Sequence, residues 1–186
     1  KVIFKGQQSG GEESTLAEIQ GSHDGTADDE KGDLIFRTND GSDGASPTER
    51  VRIDSNGSIL TATLGTDNVH LGEGAGASIA SGGNNNVVIG KNAGTSLTTG
   101  DNNTAIGHQA LDASDTAGDN TAIGSGALSS ITSGGYNTAV GRNSFANATT
   151  ENRNVGLGIE TGFDTVTGTQ NTFIGSYAGM DNTANY

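Results

Sequence analysis

One asparagine returns along this chain at a fixed spacing, and the spacing limits what the chain can fold into. It stands at Asn68, Asn86, Asn103, Asn120, Asn137, Asn154 and Asn171; the first gap is eighteen residues and the next five are seventeen. Three positions after each comes an aliphatic residue: Leu71, Ile89, Ile106, Ile123, Val140, Leu157 and Ile174. Each of these is followed at once by glycine: Gly72, Gly90, Gly107, Gly124, Gly141, Gly158 and Gly175. Self-similarity at a fixed period marks a solenoid, in which one coil cannot bury its apolar side alone and its neighbours complete it. The fold expected is all-β: a parallel β-solenoid or β-roll of seven coils over 68–186.

Positions within a coil are counted from the repeat Asn. Positions +1 to +4 read Val or Thr, a small residue, an aliphatic and Gly, as in Asn103-Thr104-Ala105-Ile106-Gly107. Strand alternation puts +1 and +3 on one face and +2 and +4 on the other. The β-branched face is expected inside the coil, which leaves a smooth Ala/Gly face where another chain can approach. A second short strand is expected over +7 and +8. Position +8 is Gly76, Gly94, Gly162 and Gly179 in some coils and Leu111, Leu128 and Phe145 in others, while Ile79 and Leu97 at +11 accompany two of the glycines. This alternation reads as volume compensation in a packed interior. The extra residue of the first repeat is placed in the 82–86 loop. The repeat Asn has two readings, a left-handed turn residue and an amide ladder in which each side chain bonds its neighbour in the next coil, and a mixture of the two is expected.

Before residue 67 there is no such period. Val2 with Phe4, Leu34 with Phe36, and Val51 with Ile53 each alternate with other residues, as half-exposed strands do. Gly21–Gly32 and Asn39–Ser46 read as loops, Ser55-Asn56-Gly57-Ser58 as a tight turn, and Asp28–Lys31 as a solvated loop. The chain is therefore divided into a β-rich segment, 1–67, and the repeat segment, 68–186. No helix is expected in either.

Only 31% of the 186 residues are hydrophobic, there is no Trp, and 31 are Gly, so a large globular core is out of reach. The net charge is −13 and is spread evenly: six Lys/Arg against thirteen Asp/Glu in 1–67, three against nine in 68–186. Such a surface disfavours nucleic acid and anionic lipid as partners. No apolar run is long enough to span a membrane. The absence of Cys excludes disulfides and thiolate metal sites. The chain begins Lys1-Val2-Ile3-Phe4 and stops within the seventh repeat, so both ends are expected to be cut from a longer polypeptide.

A stack of seven coils, each rising about 4.8 Å, makes a column roughly 35 Å long with much bare surface. Three-fold association of parallel chains is expected to cover it, with the Ala/Gly face near the axis. Position +2 is bulkier at the ends (His70, Phe173) than in the middle (Ala105, Ala122, Ala139, Gly156), so closest approach is expected at the middle coils.

No catalytic, cofactor or metal site is expected. Gly72-Glu73-Gly74-Ala75-Gly76 has the look of a nucleotide-binding loop, but the repeat already explains Gly72 and no βαβ context follows. His23, His70 and His108 share no repeat position, and filler or surface roles are expected of them. Asp24–Asp33 fits no calcium-loop spacing. The acids vary from coil to coil, whereas glycoside hydrolysis needs a fixed carboxylate pair. Phe145, Phe163 and Phe173 read as core.

The Asn-Thr-Ala-Ile-Gly units, with Ala-Leu three residues on and a Gly-rich turn, resemble the repeats of phage tail fibres and related bacterial fibre proteins. They are similar also to the heads of YadA-like trimeric autotransporter adhesins, which form left-handed parallel β-rolls of three chains. In 12–60, Leu16–Ile19, Gly32–Thr38 and Glu49–Gly57 resemble the shaft of marine and cyanobacterial phage tail fibres, often followed by a self-cleaving chaperone domain. The resemblance implies a non-enzymatic virion component. It would be a homotrimeric tail fibre that joins other fibre or tail proteins and helps attach the particle to a host surface glycan or protein. The variable +9 to +16 loops are the expected contact surface. The alternative is a bacterial surface adhesin or extracellular filament subunit, and a tailspike depolymerase comes third.

Overall fold

The computed structural model describes residues 1–7, 13–23, 32–39, 47–53, 59–61, 67–165 and 168–181. The chain forms two compact units, Lys1–Ala62 and Thr63–Tyr186. Among the described residues every regular element is a strand.

The first unit is an antiparallel meander. Strands β1 (Val2–Gln7), β2 (Glu13–His23), β3 (Gly32–Thr38), β4 (Thr48–Ile53) and β5 (Ile59–Thr61) lie side by side in chain order. The expected strands are present as β1, β3 and β4, with β2 and β5 in addition. In β3 the alternation has the opposite phase to what its apolar pair suggests: Asp33 and Ile35 are buried while Leu34 is exposed. Arg52 accounts for the burial of Asp33. It pairs with that carboxylate and holds both oxygens of Glu49 at 2.8 Å. Ile35 is this unit's one fully covered large apolar side chain among the described residues. The expected turn at Ser55–Ser58, the loop at Asp28–Lys31 and most of Asp24–Asp33 lie outside the described residues.

The second unit is a parallel β-solenoid. Strands β6 (Val69–Leu71), β7 (Val87–Ile89), β8 (Thr104–Ile106), β9 (Thr121–Ile123), β10 (Thr138–Val140), β11 (Val155–Leu157) and β12 (Thr172–Ile174) stack in chain order as one seven-stranded sheet. The pairing keeps the repeat register throughout, with Ala105 beside Ala122 and Ala122 beside Ala139. The five inner strands are stitched to a neighbouring coil on both edges, as where Gly124 N–H donates to Ile106 at 2.8 Å and Thr121 N–H to Asn137 at 2.8 Å.

There is no second strand at +7 and +8. Positive φ at +6 and +8, as at Gln109 (55°) and Leu111 (56°), curls this stretch into turns. The extra residue of the first coil lies between Ala80 and Gly83, since Ala80 still pairs with Thr98 while Gly83 already takes the role of Gly100. It thus falls at Ser81–Gly82, at the upstream edge of the expected 82–86 loop, whose remaining residues already follow the common register.

Candidate functional site

Three columns of repeated residues run up the solenoid, and they divide the work of the repeat. The first is the Asn column. Asn86, Asn103, Asn120, Asn137 and Asn154 are all buried to 1% exposure or less. Each accepts the next Asn's backbone N–H on its Oδ1, at 2.8–3.1 Å from Asn86 through Asn171. From Asn68 to Asn154 each also donates Nδ2 to a carbonyl near the end of its own coil: Gly83, Gly100, Ala117, Gly134, Glu151 and Gly168, at 2.7–3.0 Å. One amide therefore closes a coil and ties it to the next. This is the ladder reading. The left-handed conformation belongs to the residue before the repeat Asn: Asp67, Asn85, Asn102, Asp119, Tyr136, Arg153 and Gln170.

The second is the Gly column at +4. These glycines hold φ between 113° and 138°. A Cβ on Gly72, Gly90, Gly107, Gly124, Gly141 or Gly158 would fall within 2.7 Å of the next coil's backbone. The backbone that comes close to the small residues is the chain's own.

The third column corrects the expected faces. The small residues at +2 point inward: Val88, Ala105, Ala122 and Ala139 are completely buried. The aliphatics at +3 point outward, with Leu71 58%, Ile123 37%, Leu157 48% and Ile174 69% exposed, and Ile89, Ile106 and Val140 partly so. Val69 and Val155 at +1 are also exposed. The reason is lack of room. The interior of a coil already holds the +8 and +11 side chains, among them Leu111, Leu128, Phe145, Leu97 and Ile131, each 1% exposed or less. Only a small +2 residue fits beside them. The expectation of closest chain approach at the Ala-bearing middle coils loses its basis, because those alanines line the interior.

Volume compensation is present, with +2 as the main partner of +8. Gly76 faces the His70 imidazole, Gly94 the Val88 side chain and Gly179 the Phe173 ring. In the sixth coil both positions are glycine, Gly156 and Gly162, and the ring of Phe145 leans into the space from the coil before. Phe145 meets Phe173 there, with ring centroids 5.9 Å apart. Phe145 is core, Phe173 packs against it, and Phe163 is half-buried.

His70 fills the first coil, and its Nε2 is buried without a partner. Burial holds its pKa below the ordinary value. His108 is exposed. Among the described residues no group of three or more His, Asp or Glu could hold a metal ion. A polar depression of about 350 Å³ is lined by Gln109, Asp112, Ser125, Gly126, Ser129, Ser130 and Asn143. It offers one carboxylate, Asp112, whose pKa is raised chiefly by burial. No described helix is long and apolar enough to cross a membrane. No protein-family model, curated protein or solved structure matches this chain.

Proposed function

We propose that this chain is a structural, non-enzymatic segment of a homotrimeric phage tail fibre, a stiff column that carries host-contacting parts toward the cell surface. The observation that supports this best is the uninterrupted Asn ladder. A solenoid whose stability is a sum of coil and neighbour terms is only as stiff as its weakest junction. Here each of the six junctions is closed by an amide-to-backbone bond, buried in the first five and partly buried in the last. Host contact falls to the +9 to +16 loops, whose sequences differ most between coils. The test is immunogold electron microscopy on a phage-producing culture, with antibody to 68–186. Label on tail appendages is the expected result. Label on cell envelopes or free filaments, with bare particles, would overturn the virion reading in favour of an adhesin.

A further inference from the structure

The outward +1/+3 stripe is the most unusual surface of the molecule. Over all seven coils, positions +1 to +3 carry no Asp, Glu, Lys or Arg, on a chain with net charge −13. The stripe presents Leu71, Ile123, Leu157 and Ile174 at 37–69% exposure, with Ile89, Ile106 and Val140 between them. That amounts to roughly several hundred square ångströms per copy, the order that each partner gives to a specific interface (about 800 Å²). In the first unit Val2, Ile3, Phe4 and Leu16 are also 44–55% exposed.

We infer that the +1/+3 stripe is the face on which copies of this chain meet, parallel and in register, in place of the buried Ala face. This rests on the fibre reading, which requires parallel chains so that all tips share one end. Two observations favour a second copy as the occupant. The ridges of +3 side chains repeat at the strand spacing of about 4.8 Å, and a partner that matches them over seven rows needs the same spacing. Acidic copies also repel one another everywhere else, and the stripe is where two of them touch without bringing carboxylates together. Because the +3 side chains point away from the interior, charge placed on them opposes association and leaves the Asn ladder and the core untouched.

The test begins with the solution mass of the full chain, measured by light scattering for three proteins. These are the wild type, the stripe variant Ile106→Glu/Ile123→Glu, and a control, Thr116→Glu/Ser133→Glu, whose exposed positions lie in the same two coils. The expected result is a multiple of the 18.6 kDa chain mass for wild type and control, and a single chain mass for the stripe variant with its circular dichroism unchanged. A stripe variant that stays oligomeric refutes this face and leaves the oligomeric fibre standing. A monomeric wild type at high concentration overturns both. Register is read by oxidation of single-cysteine variants, since the chain has no Cys of its own. Leu71→Cys and Ile174→Cys should each cross-link to themselves, as parallel copies bring like positions together. Cross-linking only when the two variants are mixed would mean antiparallel copies and would overturn the inference.

Discussion

The sixth coil allows the packing account to be tested with one methyl group. Gly156 lies in extended strand β11, so alanine meets no backbone objection there. Its Cβ would stand 2.6 Å from Phe145 Cε2, 2.6 Å from Ser144 Oγ and 2.9 Å from Thr161 Oγ1. Forcing a methyl group into so tight a space costs about 1–3 kcal/mol. Loss of glycine's freedom in the unfolded chain returns about 0.4–1 kcal/mol. Gly156→Ala should therefore destabilise by about 1–2 kcal/mol, and a chain of this size loses roughly 2–4 °C in Tm per kcal/mol. Phe145→Leu alone forfeits ring contacts with Phe173 and should cost less than the 3–5 kcal/mol typical of a buried Phe→Ala. In the double variant the shorter leucine side chain makes room for the methyl group, so the costs should fall short of the sum by about 1 kcal/mol, as touching residues do. Thermal melts of the full chain by circular dichroism measure all four corners of this cycle. Strict additivity, or a Gly156→Ala variant that melts higher than wild type, would refute the claim that Phe145 occupies the space of the sixth coil.

Other consequences concern the columns. Asn120→Ala leaves the Gly134 carbonyl and the Asn137 N–H buried without partners, at about 1–3 kcal/mol each, so it should lower Tm well beyond Asn171→Ala, whose side chain is only partly buried; equal shifts would sink the ladder. Gly124→Ala combines a φ of 135° with a backbone clash and should cost more than about 3 kcal/mol, read as loss of the cooperative melt. His70 should make the first coil acid-sensitive. Its folded pKa lies below the ordinary 6.5, so its stabilisation is complete above that value and is lost as pH falls through the folded pKa. Hydrogen-exchange protection factors at Val69–Leu71, corrected for the intrinsic rate at each pH, should fall on acidification in wild type and not in His70→Val, which copies Val88 of the next coil; identical pH profiles would contradict this.

The period, the coil boundaries and the Asn ladder are legible in the sequence because they repeat, and repetition survives ignorance of the side-chain environment. The orientation of the strands is not. Alternation says that Ala105 and Ile106 face opposite ways, and hydrophobicity then selects Ile for the interior. That rule presumes a single apolar side. Here there are two, an interior too narrow for anything but alanine beside Leu111, and an outer stripe that accepts Ile106. The +7/+8 strand fails for a related reason. Ala110-Leu111 looks like a strand pair, yet the left-handed turns at Gln109 and Leu111 are imposed by closing the coil, which no local propensity records. In β3, Asp33 reads as solvent-facing because its partner, Arg52, comes from another strand.

The lean of Phe145 also constrains how such a column can change length. Coils that fill their own interior, such as the fourth with Ala122, Leu128 and Ile131, are self-contained units that can be duplicated or lost without disturbing their neighbours. The fifth, sixth and seventh cannot be exchanged singly. Deleting the sixth would drive Phe145 and Phe173 into one layer, and copying it would stack two layers of glycine with one ring between them. Insertion or deletion of a single coil should therefore be better tolerated among the first four coils than among the last three.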